Sequence, residues 1–206
     1  MGGSNVGLLV DTKGAGTNFF LGTEDGTIMT TGGPALFLDP LTVDMTFDMV
    51  MSSGSVGGPT AASTGDGIHL DGVAGSLTIA DLQVADAAME GIQIEQSTGN
   101  FTFTLATITT AGTHGVLIGS MGANTGTVTI TEGAISGTGM DGVNINNAGR
   151  FNLSDTTFTT IGAATGSFMN STLSGSGNIH AMGFLSNDNG GNVGTILFNG
   201  GANQAP

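Results

Sequence analysis

GIHLDGVAGSLTIADLQVADAAME (67–90) and GIQIEQSTGNFTFTLATITTAGTH (91–114) are two copies of one pattern. It continues in GVLIGSMGANTGTVTITEGAISGTGMD (115–141) and GVNINNAGRFNLSDTTFTTIGAAT (142–165). Each copy opens with Gly, then Ile or Val, then any residue, then Leu or Ile. The opening glycines stand 24, 24 and 27 residues apart. A fixed period of this length marks a chain built from stacked copies of one unit, none of which buries its apolar residues alone.

Each copy holds three short alternating segments. In the first they are Ile68-x-Leu70, Leu77-x-Ile79 and Leu82-x-Val84. Alternation with period two gives one buried and one wet face, the pattern of a strand. Gly, Ser, Thr, Asn and Asp lie between the segments and form turns. No stretch carries the i, i+3, i+4, i+7 spacing of an amphipathic helix at useful length. Three strands per copy predict an all-β fold: a single parallel β-helix of about seven to eight coils of about 24 residues. Coils stacked about 4.8 Å apart would give an axis of roughly 35–40 Å.

The pattern names the columns. Ile68, Ile92, Val116 and Val143 form one, beside Leu70, Ile94, Ile118 and Ile145. Leu77, Phe101, Val128 and Phe151 form a third, followed by Ile79, Phe103, Ile130 and Leu153. At about 25 cal/mol per Å² of apolar area, these columns are the main stabilising term. The three surplus residues of the third copy are expected between Met121 and Thr127.

The flanks are less regular, and residues 1–206 read as one domain. Leu8 and Val10, Phe19 to Leu21, and Ile28 suggest a first coil. Val43, Met45, Phe47, Met49 and Met51 alternate strictly, so Asp44, Thr46, Asp48 and Val50 are expected to face out, on the longest strand of the chain. Residues 52–65 read as a loop that closes an irregular N-terminal region, 1–66. The regular coils are 67–165. In 166–206 the pattern loosens, with a last strand near Ile196 to Phe198. Neither flank shows a capping helix, which leaves open edges suited to pairing with further copies end to end.

Charge limits the partners. Two basic residues, Lys13 and Arg150, stand against 16 acidic ones, for a net charge of −14. Nucleic acid and anionic membrane surfaces are therefore unsuitable partners. No apolar run is long enough to span a membrane, and no leader peptide is visible, so a segment of a longer secreted chain is expected. Glycine is 38 of 206 residues without a Gly-X-Y period, which excludes collagen. The absence of cysteine removes disulfides and thiolate metal sites.

Asp66-Gly67-Ile68, Asp141-Gly142-Val143-Asn144-Ile145 and TVTIT (127–131) resemble the right-handed parallel β-helix repeats of bacterial surface proteins and autotransporter passengers. The similarity to the broader pectate-lyase-like superfamily is one of architecture. The resemblance implies a right-handed helix, as does the crossover preference of parallel strands. It further implies a secreted or cell-surface location and a structural or adhesive role, with self-assembly into fibres. The alternative is a carbohydrate-binding or polysaccharide-degrading β-helix. Lyases of that architecture use a calcium ion and a basic residue, and only Lys13 and Arg150 could supply the base. Related hydrolases carry several motifs of which Thr113-His114-Gly115 is a partial match. No catalytic residue is assigned, and an enzyme is not expected.

One constellation could hold a cation. The residue before each opening Gly is Asp66, Glu90, His114 or Asp141. Four residues after it stand Asp71, Glu95, Gly119 and Asn146, with Asp11 in the first coil. Stacking would set Asp66 beside Glu90 and Asp71 beside Glu95, and Ca²⁺ takes such carboxylate oxygens. Asp66, Glu90, Asp71, Glu95 and Asp141 are thus the candidate ligands, with Ca²⁺ the one cofactor considered. The plainer expectation is a solvated acidic corner. His69, His114 and His180 are expected as isolated surface or turn residues. Outward rows such as Thr102/Thr104 and Thr127/Thr129/Thr131 could face ice or carbohydrate, or merely solvent.

Overall fold

The structure, a computed structural model, describes residues 6–12, 20–54, 65–122, 124–145, 149–154, 156–161, 171–173, 178–182, 185–187 and 196–198. These form twenty strands and no helix. In chain order the first are β1 (Leu8–Asp11), β2 (Phe20–Thr23), β3 (Thr27–Thr31), β4 (Leu36–Asp39) and β5 (Thr42–Ser53). Next come β6 (Ile68–Asp71), β7 (Ala74–Ala87), β8 (Ile92–Glu95), β9 (Asn100–Thr104) and β10 (Thr107–Ala111). Then follow β11 (Val116–Ile118), β12 (Thr127–Thr131), β13 (Ala134–Thr138), β14 (Val143–Ile145) and β15 (Arg150–Ser154). The last are β16 (Thr157–Ile161), β17 (Ser171–Leu173), β18 (Asn178–Met182), β19 (Leu185–Asn187) and β20 (Ile196–Phe198).

The strands join in parallel sheets. One sheet runs β1-β4-β6-β8-β11-β14 and collects the opening strand of each copy. A twelve-stranded sheet collects the other two strands of each copy. Its two arms, β9-β12-β15-β18 and β10-β13-β16-β19, both spring from the long strand β7. A third sheet pairs β17 with β20. Parallel neighbours need a long crossover between them, and here the rest of one repeat supplies it.

The expected columns are present in register. Ile68 lies beside Ile92, Ile92 beside Val116 and Val116 beside Val143. Leu77, Phe101, Val128 and Phe151 follow in the same way. So do the columns begun by Leu70 and Ile79, and no member of the four is more than 2% exposed. All of these side chains belong to one core, drawn from both large sheets.

The opening glycines are set by close approach. A Cβ on Gly91 would lie 2.6 Å from the Gly115 carbonyl oxygen and 2.6 Å from Ile108 Cγ2. On Gly115 it would meet the Gly142 oxygen at 2.5 Å and Ile135 Cγ2 at 2.6 Å. Gly67, Gly91 and Gly115 therefore each lie against both the next repeat and the third segment of their own.

Two expectations on β5 fail. Val50 is fully buried, whereas Met49 and Met51 are partly exposed. The alternation inverts after Asp48, where the Asp48 and Met49 amides both point to the Gly26 carbonyl oxygen. The chain turns a corner there, so strict period two does not persist. Nor is this strand the longest: β5 has 12 residues and β7 has 14. In later copies the same corner breaks the strand, with Leu105 and Glu132 at φ 47° and 53°. Of the expected loop 52–65, Ser52 and Ser53 belong to β5, and residues 55–64 lie outside the described residues. The third copy's surplus falls between Ile118, which pairs with Ile94, and Val128, which pairs with Phe101.

Candidate functional site

The five candidate ligands fall into two groups, at opposite ends of the opening strands. Asp66, Glu90 and Asp141 precede those strands; Asp71 and Glu95 end them. Five residues of strand separate the groups by roughly 16 Å. The first group is buried rather than solvated, and in the second Glu95 is buried while Asp71 is partly exposed. Asp66 and Glu95 are fully buried, Glu90 is 5% exposed and Asp141 is 4% exposed. Among the described residues, no three His, Asp or Glu side chains are placed to hold a metal ion together.

The first group is a ladder. The amides of Gly67, Gly91 and Gly115 donate to the carbonyl oxygens of Glu90, His114 and Asp141, each at 3.0 Å. That repeat stacks Asp66, Glu90, His114 and Asp141 above one another. The Glu90 amide also donates to Asp66 Oδ1 at 3.2 Å. Thr113 Oγ1 donates to Glu90 Oε1 at 2.8 Å, and Glu90 Oε2 is buried with no donor to receive. Farther along, His114 Nδ1 lies 3.2 Å from Asp141 Oδ2. Asn144 Nδ2 donates to the same oxygen at 2.9 Å.

His69 was expected at the surface and is instead part of this ladder. It is 5% exposed and stacks on Phe37, with ring centroids 4.5 Å apart. Its Nδ1 lies 3.0 Å from Asp66 Oδ2 and 2.9 Å from Gln93 Oε1. A hydrogen on Nδ1 would serve both oxygens. His114 is also largely buried, and the side chain of His180 lies outside the described residues.

Electrostatics follow from burial. Burial pushes the Glu90 carboxyl up to about 7, and a hydrogen bond to Asp66 and its charge push the same way. Thr113 and His114 oppose the shift without cancelling it. Burial alone would lower His69, but the hydrogen bond and charge of Asp66, with Gln93, outweigh it and raise the imidazole above its ordinary value.

The second group pairs Asp11 with Asp39 and Asp71 with Glu95 along the opening sheet. Asp39 is raised by burial and then by Asp11; Asp71 is raised by burial and then by Asp39. Glu95 is fully occupied. It accepts from the Ser120 amide at 3.0 Å, the Met121 amide at 2.8 Å and the Ser120 hydroxyl. It thereby closes the turn of the following repeat.

Asp66-x-x-His69, Glu90-x-x-Gln93 and Asp141-x-x-Asn144 repeat one polar spacing. That spacing could have flagged His69, Gln93 and Asn144 as partners of the column. The outward threonines also stack, with Thr78 beside Thr102, Thr102 beside Thr129 and Thr129 beside Asn152. A shallow pocket of about 130 Å³ lies over Met51, Gln83, Thr107 and Thr109, and no carboxyl or imidazole lines it.

Comparison with known protein families, with curated proteins and with solved structures finds no match.

Proposed function

We propose that the chain is a right-handed parallel β-helical solenoid. Its role is that of a structural or adhesive segment of a secreted or cell-surface protein. One observation carries the reading. Gly67, Gly91 and Gly115 each pack at once against the third segment of their own repeat and against the next opening glycine. A repeat whose start meets its own end is a coil, and coils held in register form a rod. The buried polar column supports the same role, because its side chains face one another across successive repeats and away from solvent. The acidic surface and the stacked threonines suit a displayed, soluble shaft. End-to-end self-association, by parallel strand pairing of one rod with the next, is part of the same proposal.

Small-angle scattering and negative-stain microscopy of the purified chain test this. Elongated particles, or filaments that lengthen with concentration, are expected. A compact equiaxed particle would refute the solenoid. Reducing ends released from polysaccharides would replace the structural role with an enzymatic one, and selective retention on a glycan array would define the adhesive target.

A further inference from the structure

We propose that the outward face of β7, β9 and β12 binds ice. Thr78, Thr102 and Thr129 stand beside one another on these strands, and Thr104 stands beside Thr131. Ser76 and Asn100 form the neighbouring column, and the Thr127 amide donates to Asn100 Oδ1 at 3.2 Å. The result is a two-dimensional lattice of short polar side chains, all at least partly exposed. Its spacing is about 4.8 Å from strand to strand and about 6.6 Å between alternate residues of one strand. Both distances lie near repeats of oxygen atoms on a prism face of hexagonal ice. Over so few rows the mismatch does not accumulate.

The side chains suit a crystal of water. A hydroxyl both donates and accepts, as each oxygen of ice does. Those of Thr78, Thr102, Thr104 and Thr131 make no hydrogen bond among the described residues, so they are available. Threonine is stiff at χ1, and β9 is paired on both sides, so the array is ordered before ice arrives. Charge would hold its own hydration shell and disturb the lattice. In a chain of net charge −14, no charged residue stands among these positions. Asp44, which accepts from Ser76, and Arg150, which donates to Asn152, mark the borders. Phe101 and Phe103, the aromatic residues of β9, point into the core, so the face lacks a ring on which a sugar would stack. The third-segment strands carry no equivalent lattice, because outward Gln83, Thr107 and Ala134 differ in size from strand to strand. The inference goes beyond the structural role and needs only the parallel register of β7, β9 and β12.

Ice-recrystallisation assays on the purified chain test this, with Thr102→Lys and Thr107→Lys as variants. Both substitutions put one lysine at an outward strand position and change the net charge equally. Thr102 lies at the centre of the proposed face, and Thr107 is exposed on the third-segment face. Wild type should arrest grain growth at micromolar concentration. Thr102→Lys should lose most of the arrest, and Thr107→Lys should keep it. Wild-type grain growth as fast as in an albumin solution overturns the proposal, as does an equal effect of the two variants. Selective retention on a glycan array without arrest of ice growth also overturns it and assigns the face to carbohydrate. Urea midpoints report whether the variants fold. Should Thr102→Lys not fold, Thr131→Lys at the edge of the same face takes its place. A compact particle that arrests ice growth would refute the solenoid and leave this inference standing. An elongated particle that does not arrest it would do the reverse.

Discussion

The Glu90 amide donates to Oδ1 of Asp66, 24 residues earlier in the chain, at 3.2 Å. Two acidic residues one repeat apart are thus tied together inside the protein rather than spread over its surface. Their proximity sets the acid–base character of the fold.

Stability should rise as the pH falls from about 8 to about 4. Glu90 is raised from 4.5 to about 7, so its contribution is complete below 4.5 and is lost as the pH climbs through about 7. His69 is raised from 6.5, so its contribution is complete below 6.5 and is lost above its raised value. Asp39 and Asp71, raised from 3.8, contribute fully below that value and lose it on the way up. Urea midpoints that rise steadily on acidification would bear this out; a fall would contradict it.

Gly91→Ala should destabilise the chain by about 1–3 kcal/mol, the usual penalty of overpacking. The added methyl would meet the Gly115 oxygen and Ile108 Cγ2, both at 2.6 Å. Equilibrium urea denaturation reads the change, and an unaffected midpoint would show that the two segments can part.

Phe101→Ala should cost about 3–5 kcal/mol. The ring is 1% exposed and lies between Leu77 and Val128 in its column. Neighbours on both sides are held by their own ladders and cannot collapse into the space. Calorimetry would show a lower melting temperature; a loss below 1 kcal/mol, in the range of a surface change, would argue against a rigid column.

Glu95→Ala should cost about 1.5–3 kcal/mol, because two backbone amides and a hydroxyl lose a charged acceptor. Hydrogen exchange gives the local readout. The Ser120 and Met121 amides should exchange faster while those of β12 stay protected.

The apolar columns were legible in the sequence because side-chain alternation and the 24-residue spacing report the same geometry. Ile68, Ile92, Val116 and Val143 could be aligned by eye, and their parallel pairing follows. The corner after Asp48 was not legible. Nothing in Asp48-Met49-Val50 distinguishes a turn from continued alternation, since a long-range hydrogen-bond partner, Gly26, fixes it. The polar column was found, but its environment was misjudged. Carboxylates are read as solvated by default, and burial becomes apparent only when His69, three residues on from Asp66, packs inward and Thr113 and Ser120 arrive from the following repeats as partners.

The three surplus residues between Ile118 and Val128 leave every strand around them aligned. Length at that bend is decoupled from the pairing on either side. The bend is accordingly a place where such a chain can acquire new sequence, or where a foreign peptide could be grafted, with the parallel sheets beneath left intact.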